Sequence, residues 1–397
     1  MIPLPFWIVA LCLGGPQSTP SVVPSFRRSV PIDWRPLARL LDSAIAAGAA
    51  PGGVVAVSAG GARYIHATGR LGIDDTSRAD AKTLYDLASL TKVVGLTTGV
   101  MIAVSEGKLD LDAPAQRYVP GFTGPGKDAV TLRHLLTHSS GLPAHRRLWE
   151  LAPDRAGALA LVNSTPLDTV AGTRMVYSDL GAILLTEALE AVYGMRIDSL
   201  LALRVFGPLE MTSTRFLPPA SWLPRIAPTE RDPWRGRVLR GEVHDENAAR
   251  LGGVSGHAGL FSDAEDLLTL GEWLLEDGPT DRRNNGPTPA EGSVYSIRPE
   301  VKAEFLRRQN MPPGSSRALG WDTPSENSSA GTLFSPRSFG HTGFTGTSIW
   351  MDPTRDLVLV LLTNRVNPTR ENNRHIALRK AMADATVGIV DAYSTTR

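Results

Sequence analysis

Two stretches of this chain set a serine three residues ahead of a lysine: Ser89 with Lys92, and Ser105 with Lys108. On a helix such residues share a face, with Cβ atoms roughly 5–6 Å apart, so the amine reaches the hydroxyl. The chemistry this permits is nucleophilic. A serine attacks an acyl group once an adjacent base takes its proton. A lysine serves as that base only if burial or a nearby cation lowers its pKa, because at about 10.4 only about one in a few thousand is neutral at pH 7.

Local context separates the two pairs. Gly107 sits inside the second, and Leu109-Asp110-Leu111-Asp112-Ala113-Pro114 follows it, which predicts a helix end with Lys108 on carbonyls and water. The first pair follows Asp86, a candidate N-cap, and is interleaved with Leu87, Ala88, Leu90, Val93, Val94 and Leu96. Ser89 is therefore expected in the first turn of a buried helix, near the positive end of its dipole.

Other polar side chains are candidates by type. The helix predicted over Thr131–His138 carries His134 and His138 four residues apart, but without the glutamate of a zinc-protease helix. Cap and packing roles are expected for both, with no metal site and no cofactor. Tyr177 precedes an apolar helix read over Ala182–Val192. The segment from Glu242 to Gly259 carries His244, Asp245, Asn247 and His257 among many glycines and matches no phosphate-binding pattern.

The elements that must position these residues are legible in outline. Trp34–Ala49 has a helical apolar period, and Val54–Ser58 and Arg63–Ala67 are strand-like runs around Gly60-Gly61. From Leu109 to about Leu275 the pattern is helices and long polar loops. Ser338–Met351 and Leu357–Thr363 read as strands joined at Asp352-Pro353, and Glu371–Tyr393 as a long helix. Strands and helices at both ends predict one α/β (α+β) body, residues 32–108 with 295–397, into which a helical domain, 109–294, is inserted. Stretches 277–295 and 310–332 read as surface loops.

Composition narrows the function. With 42% hydrophobic residues the chain can bury a large core, and a net charge of +1 offers no basic stripe for nucleic acid. The single cysteine, Cys12, lies in a short apolar run, Phe6–Leu13, that looks like a signal-peptide core although no Lys or Arg precedes it. Residues 1–31 are thus expected to be a signal peptide and linker, and the protein to be secreted or periplasmic. The run is too short to span a bilayer and no later segment reaches about 20 apolar residues, so a stable membrane span is not expected.

Taken together, several stretches resemble the class C β-lactamase and penicillin-binding-protein family of serine hydrolases. Asp86-Leu87-Ala88-Ser89-Leu90-Thr91-Lys92 looks like the family's nucleophile motif, and Leu135–Pro143 like a family signature. Tyr177-Ser178-Asp179 looks like Tyr-x-Asn, and His341-Thr342-Gly343 like Lys-Thr-Gly. The resemblance runs from about residue 33 to the end. It implies a mainly antiparallel sheet flanked by helices, an all-helical domain, and a cleft between them. It implies that Ser89 is acylated, that Lys92 and Tyr177 share proton transfers, and that the N–H groups of Ser89 and Phe344 form an oxyanion hole. Asp179, His341, Thr342, Gly343 and the loop residues His244, Asp245, Asn247 and His257 would meet substrate. Two departures bear on that substrate: His341 replaces a lysine that holds a carboxylate in β-lactam-cleaving members, and Asp179 replaces an amide donor and adds a charge that can pair with Lys92. The expected activity is hydrolysis of an ester, amide or peptide, with cell-wall-derived peptides among the candidate substrates, by a monomer. The alternative is a binding or sensing module that is acylated without turnover.

Overall fold

The computed structural model describes residues 32–276, 293–326 and 328–395; the signal-like stretch and residues 277–292 of the loop read at 277–295 lie outside the described residues. The main sheet contains β1 (Gly52–Ala59), β2 (Ala62–Gly69), β3 (Phe339–Thr342), β4 (Ser348–Asp352) and β5 (Leu357–Thr363). Its spatial order is β2-β1-β5-β4-β3, and every pair is antiparallel. The hydrophobic runs at the two ends of the chain therefore pair directly, with Val55 opposite Leu361.

Both β1 and β5 are apolar on both faces, so both faces must be covered. Five longer helices enter this account: α1 (Arg35–Ala46), α2 (Thr98–Ser105), α3 (Asp179–Tyr193), α4 (Ala264–Leu275) and α5 (His375–Thr395). Successive strand residues point to opposite faces. Val55, Val57, Leu359 and Leu361 pack with Leu37 and Leu41 of α1 and Leu378 and Met382 of α5. Val54, Ala56, Val358 and Val360 join the second core, with Leu267 and Leu270 of α4 and Val100 of α2. Burying each such Val or Leu contributes about 1.5–3 kcal/mol.

Element boundaries differ from expectation in places. The strand read over 338–351 is two strands, because the Gly343–Thr347 turn intervenes between β3 and β4. The helix expected from Ala182 begins at Asp179, since Ser178 Oγ accepts the Gly181 N–H at 3.4 Å as its N-cap. The middle of the chain is not all-helical; it also contributes short strands, Arg215–Phe216 and Leu260–Ser262 among them. Ala88–Ser105 is long and apolar enough to cross a membrane, with mean hydropathy 1.4, yet 83% of it is buried in protein, where it serves as a core helix.

Candidate active site

The Ser89 segment does not start as an ordinary helix. Ala88 has φ +47°, a left-handed conformation rare for a residue with a side chain, so the chain turns sharply into Ser89. Buried Asp86 holds that turn: its Oδ1 accepts the Ala88 N–H at 2.8 Å and its Oδ2 accepts the His244 N–H at 2.6 Å. Asp86 is thus a brace between two loops rather than the expected helix cap. Burial pushes its pKa up, and the two amide bonds oppose that. A 3₁₀ turn at Ala88–Leu90 and a wider π-helical turn at Lys92–Thr97 precede α2.

Lys92 reaches Ser89 as its spacing requires, with Nζ 3.1 Å from Oγ. The same ammonium donates to the His257 carbonyl at 3.0 Å and lies 2.6 Å from Asp179 Oδ1. Burial by itself would push the lysine down; the Asp179 charge outweighs it, so Lys92 is raised above its ordinary value and held as a cation. The neutral amine considered from sequence is therefore not the resting state. Asp179 feels the reciprocal effect: burial would raise it, and Lys92 holds it well below the carboxylate range.

Tyr177 approaches from the extended residues before α3. Its neighbours are pinned to the loop after His138: Ser178 N–H donates to His138 Nδ1 at 3.2 Å, Ser178 Oγ to the Pro143 carbonyl at 2.7 Å, and Asp179 N–H to the Ala144 carbonyl at 3.1 Å. The Tyr177 ring lies 4.4 Å from the His138 ring and 5.9 Å from that of His341, centroid to centroid, with Lys92 Nζ 5.0 Å over its face. His138 is thus a packing partner of Tyr177, and His134, bonded to Thr131, caps its own helix.

The turn from Gly343 to Thr347 is clamped against the Asp86–Ser89 loop. Thr345 Oγ1 donates to the Asp86 carbonyl at 2.7 Å and Thr347 Oγ1 to the Leu87 carbonyl at 3.0 Å. Behind it, buried Arg379 of α5 donates to the Gly343 and Thr347 carbonyls at 2.6 and 2.7 Å. A Cβ on Gly343 would stand 2.3 Å from the Leu87 oxygen, so only glycine permits this approach. Neither the Ser89 N–H nor the Phe344 N–H has an acceptor among the described residues.

Ser89, Tyr177, His341, Thr342, Gly343 and Phe344 line one cavity of about 420 Å³. His341 Nδ1 donates to the Thr342 carbonyl at 2.8 Å. Burial, then the charges of Arg317 and Lys92, push this imidazole far below its ordinary value, so it is neutral. Sequence reasoning missed Arg317, which lines the cavity with its guanidinium 5.3 Å over the Tyr177 ring. It stands in a Pro/Ser/Gly-rich stretch read as surface loop, and nothing local marks it.

The loop expected to touch substrate is differently placed. His244 Nε2 donates to Glu230 at 2.9 Å, and Asp245 caps the short helix Glu246–Arg250 and takes His257 Nε2 at 2.9 Å. Asn247 Oδ1 accepts the Leu148 N–H at 2.8 Å. None of the four lines the cavity. Their side chains are engaged with protein, and only the His257 carbonyl reaches the Ser89/Lys92 pair. Asp179 likewise faces Lys92 instead of the cavity.

The family model for beta-lactamases matches residues 37–383. The chain belongs to the beta-lactamase family. Within that family it is similar to a Salmonella paratyphi B protein named "Putative D-alanyl-D-alanine carboxypeptidase", 32% identical over 348 residues, which are 79% of this chain and 78% of that one. Among solved structures it resembles EstCE1, described as a hydrolase with promiscuous acyltransferase activity, at TM-score 0.69 and 22% identity, covering 89% of this chain and 98% of that one. It also resembles a penicillin-binding protein homolog from Caulobacter crescentus, at TM-score 0.70 and 19% identity over 90% and 98%. The beta-lactamase-family fold, a mainly antiparallel sheet flanked by helices, is the one described above, and the chain is a serine hydrolase of that family.

Proposed function

We propose that Ser89 is the acylated nucleophile of a hydrolase acting on amide, ester or peptide substrates whose leaving part ends in a free carboxylate, as D-alanyl peptides do. The observation that carries this is the Lys92 Nζ–Ser89 Oγ contact of 3.1 Å at a cavity also lined by Tyr177. In acylation Ser89 Oγ attacks the carbonyl carbon, and the serine proton passes to Tyr177 and on to the leaving group. Lys92, held as an ammonium by Asp179, supports the charge developing on Oγ. The free N–H groups of Ser89 and Phe344 receive the oxyanion, each worth about 2.7–4 kcal/mol in the transition state. Water then attacks the acyl carbon and regenerates Ser89.

The carboxylate preference rests on Arg317. Its Nε and Nη1 are buried at the cavity with no acceptor among the described residues, an arrangement that favours a ligand anion. This guanidinium takes over the anion-holding task that neutral His341 cannot perform. The name of the Salmonella relative supports the same substrate class. The proposal includes export to the periplasm or medium, a monomer, and a sheet domain (32–108 with 295–397) bordering an inserted domain (109–294).

The test is intact-mass analysis after a fluorophosphonate or penicillin probe, alongside release of D-alanine from a D-alanyl-D-alanine peptide. Ser89→Ala is expected to abolish the adduct and lower kcat on the order of 10⁶-fold. A folded wild-type protein that forms no Ser89 adduct would sink the proposal. A stable adduct without product release would favour a sensor that is acylated but does not turn over.

A further inference from the structure

His145 follows the loop that pins Tyr177 and was not singled out by its sequence context. Its side chain is 44% exposed, with Nδ1 between two groups of opposite character. On one side, Asn247 Nδ2 lies 3.5 Å away; on the other, Asp179 Oδ2 lies 3.9 Å away. The Asn247 amide cannot turn round without loss, because its Oδ1 accepts the Leu148 N–H and its Nδ2 donates to the Arg146 carbonyl at 2.9 Å. A neutral ring whose Nδ1 is a bare acceptor is therefore matched to Asn247, and a protonated ring to Asp179.

The other oxygen of that same carboxylate is the one against Lys92, at 2.6 Å. We propose that His145 is a positioning residue for the Ser89/Lys92 pair, competing with Lys92 for the Asp179 carboxylate and so coupling the lysine's charge to the solvent pH. When His145 takes a proton from water, its Nδ1–H closes on Oδ2, Asp179 is shared between two cations, and its hold on the Lys92 proton weakens. When His145 is neutral, Asp179 serves Lys92 alone. The two ionisations are one coupled system.

The surroundings of His145 favour this role. Asp179 faces it from α3, and Asp245 and Glu246 from the helix start at 245–246; Asp245 is itself taken by His257 and Glu246 by Arg370. The ring packs on Trp149 at 5.6 Å between centroids, which leaves one edge toward water. The Asp179 carboxylate beside it raises the His145 pKa above its ordinary value, and burial opposes that.

This inference deepens the proposed mechanism, but its first test does not depend on turnover. The His145 ring resonance, assigned by its disappearance in His145→Gln, is titrated by NMR without substrate. Asp179→Asn is expected to lower the His145 pKa by roughly one unit. Lys92→Met, which leaves His145 as the cation nearest Asp179, is expected to raise it by a similar amount; Lys92→Gln serves if the methionine variant does not fold. An unchanged His145 pKa in either variant overturns the proposal. The second test reads the pH profile of kcat/KM. His145→Gln is expected to remove the ionisation assigned to His145 by NMR from that profile while leaving the melting temperature within a few degrees. In the Asp179→Asn background the same change is expected to have no further effect. Equal effects in both backgrounds would point to a merely structural histidine. Absence of any Ser89 adduct would sink the hydrolase proposal without touching the NMR result.

Discussion

The two walls beside Ser89 treat their polar groups in opposite ways. On the β3 side, the Tyr177 hydroxyl, His341 Nε2, and Nε and Nη1 of Arg317 are buried without hydrogen-bond partners among the described residues. On the 244–257 loop, each histidine and acidic side chain has a protein partner, from Glu230 for His244 to Asp245 for His257. Buried polar groups are ordinarily satisfied, and leaving one unmade costs about 1–3 kcal/mol. Unmet donors and acceptors clustered in one cavity mark where a ligand completes the network. The fully paired loop marks a support. His341 on one side and His244 and His257 on the other look alike on paper; only the pairing tells them apart.

Four measurements would break or sharpen that contrast. The largest effect is expected from Gly343→Ala, because the new Cβ would meet the Leu87 oxygen and push the turn off the nucleophile loop. Displacing the Phe344 N–H should lower kcat about 10²–10³-fold. Activity near wild type would remove that amide from the mechanism.

Arg317→Ala comes next. Losing a charge-assisted contact should cost about 1.5–3 kcal/mol, seen as a roughly 10- to 100-fold drop in kcat/KM for a peptide ending in a carboxylate. Its C-terminal amide, or a neutral p-nitrophenyl ester, should barely respond. Equal losses on charged and neutral substrates would refute the carboxylate assignment.

The third concerns pH. Without Asp179, burial is no longer outweighed and the Lys92 pKa falls. If the ammonium is the working form, kcat/KM of Asp179→Asn should fall as pH rises through the lowered value, in a range where the wild type holds steady. A rise with pH instead would make the neutral amine the base. Stability carries the same sign logic: the depressed Asp179 pKa contributes above the ordinary carboxylate value of about 3.9 and is lost as pH falls toward the folded value. Acid melts of wild type and Asp179→Asn should therefore converge.

The smallest effect on catalysis is expected from the paired wall. His244→Ala removes the 2.9 Å contact to Glu230 and should cost about 1–3 kcal/mol in urea melts with KM unchanged. A large KM change with little loss of stability would return this loop to the substrate.

Much of the framework was readable residue by residue. The last helix of the stretch read as helices and loops to about Leu275 ends there, as α4, and its start is capped by Asp263, a local signal. The helix ends at Ser105, and Gly107, with φ +72°, turns the chain before Lys108, so the second pair is split: Ser105 Oγ accepts the Arg298 N–H while Lys108 lies over the Tyr193 ring. Where a few neighbouring side chains decide the outcome, pattern suffices. The strand over 338–351 was misread because its break depends on two threonines bonding carbonyls about 260 residues away.

What the sequence determined by itself is a serine and a lysine on a buried apolar segment, with a phenol and a glycine-bearing strand in fixed order after them. Spacing and hydrophobic period are local properties, written into three or four consecutive turns. Tertiary structure decided the rest: the left-handed Ala88 braced by Asp86, the Lys92–Asp179 pair, the clamp at Thr345 and Thr347, and Arg317 over Tyr177. Each joins segments far apart in the chain or sets a backbone conformation that only such contacts hold, and charge states follow from burial and neighbours that exist only once the chain is folded.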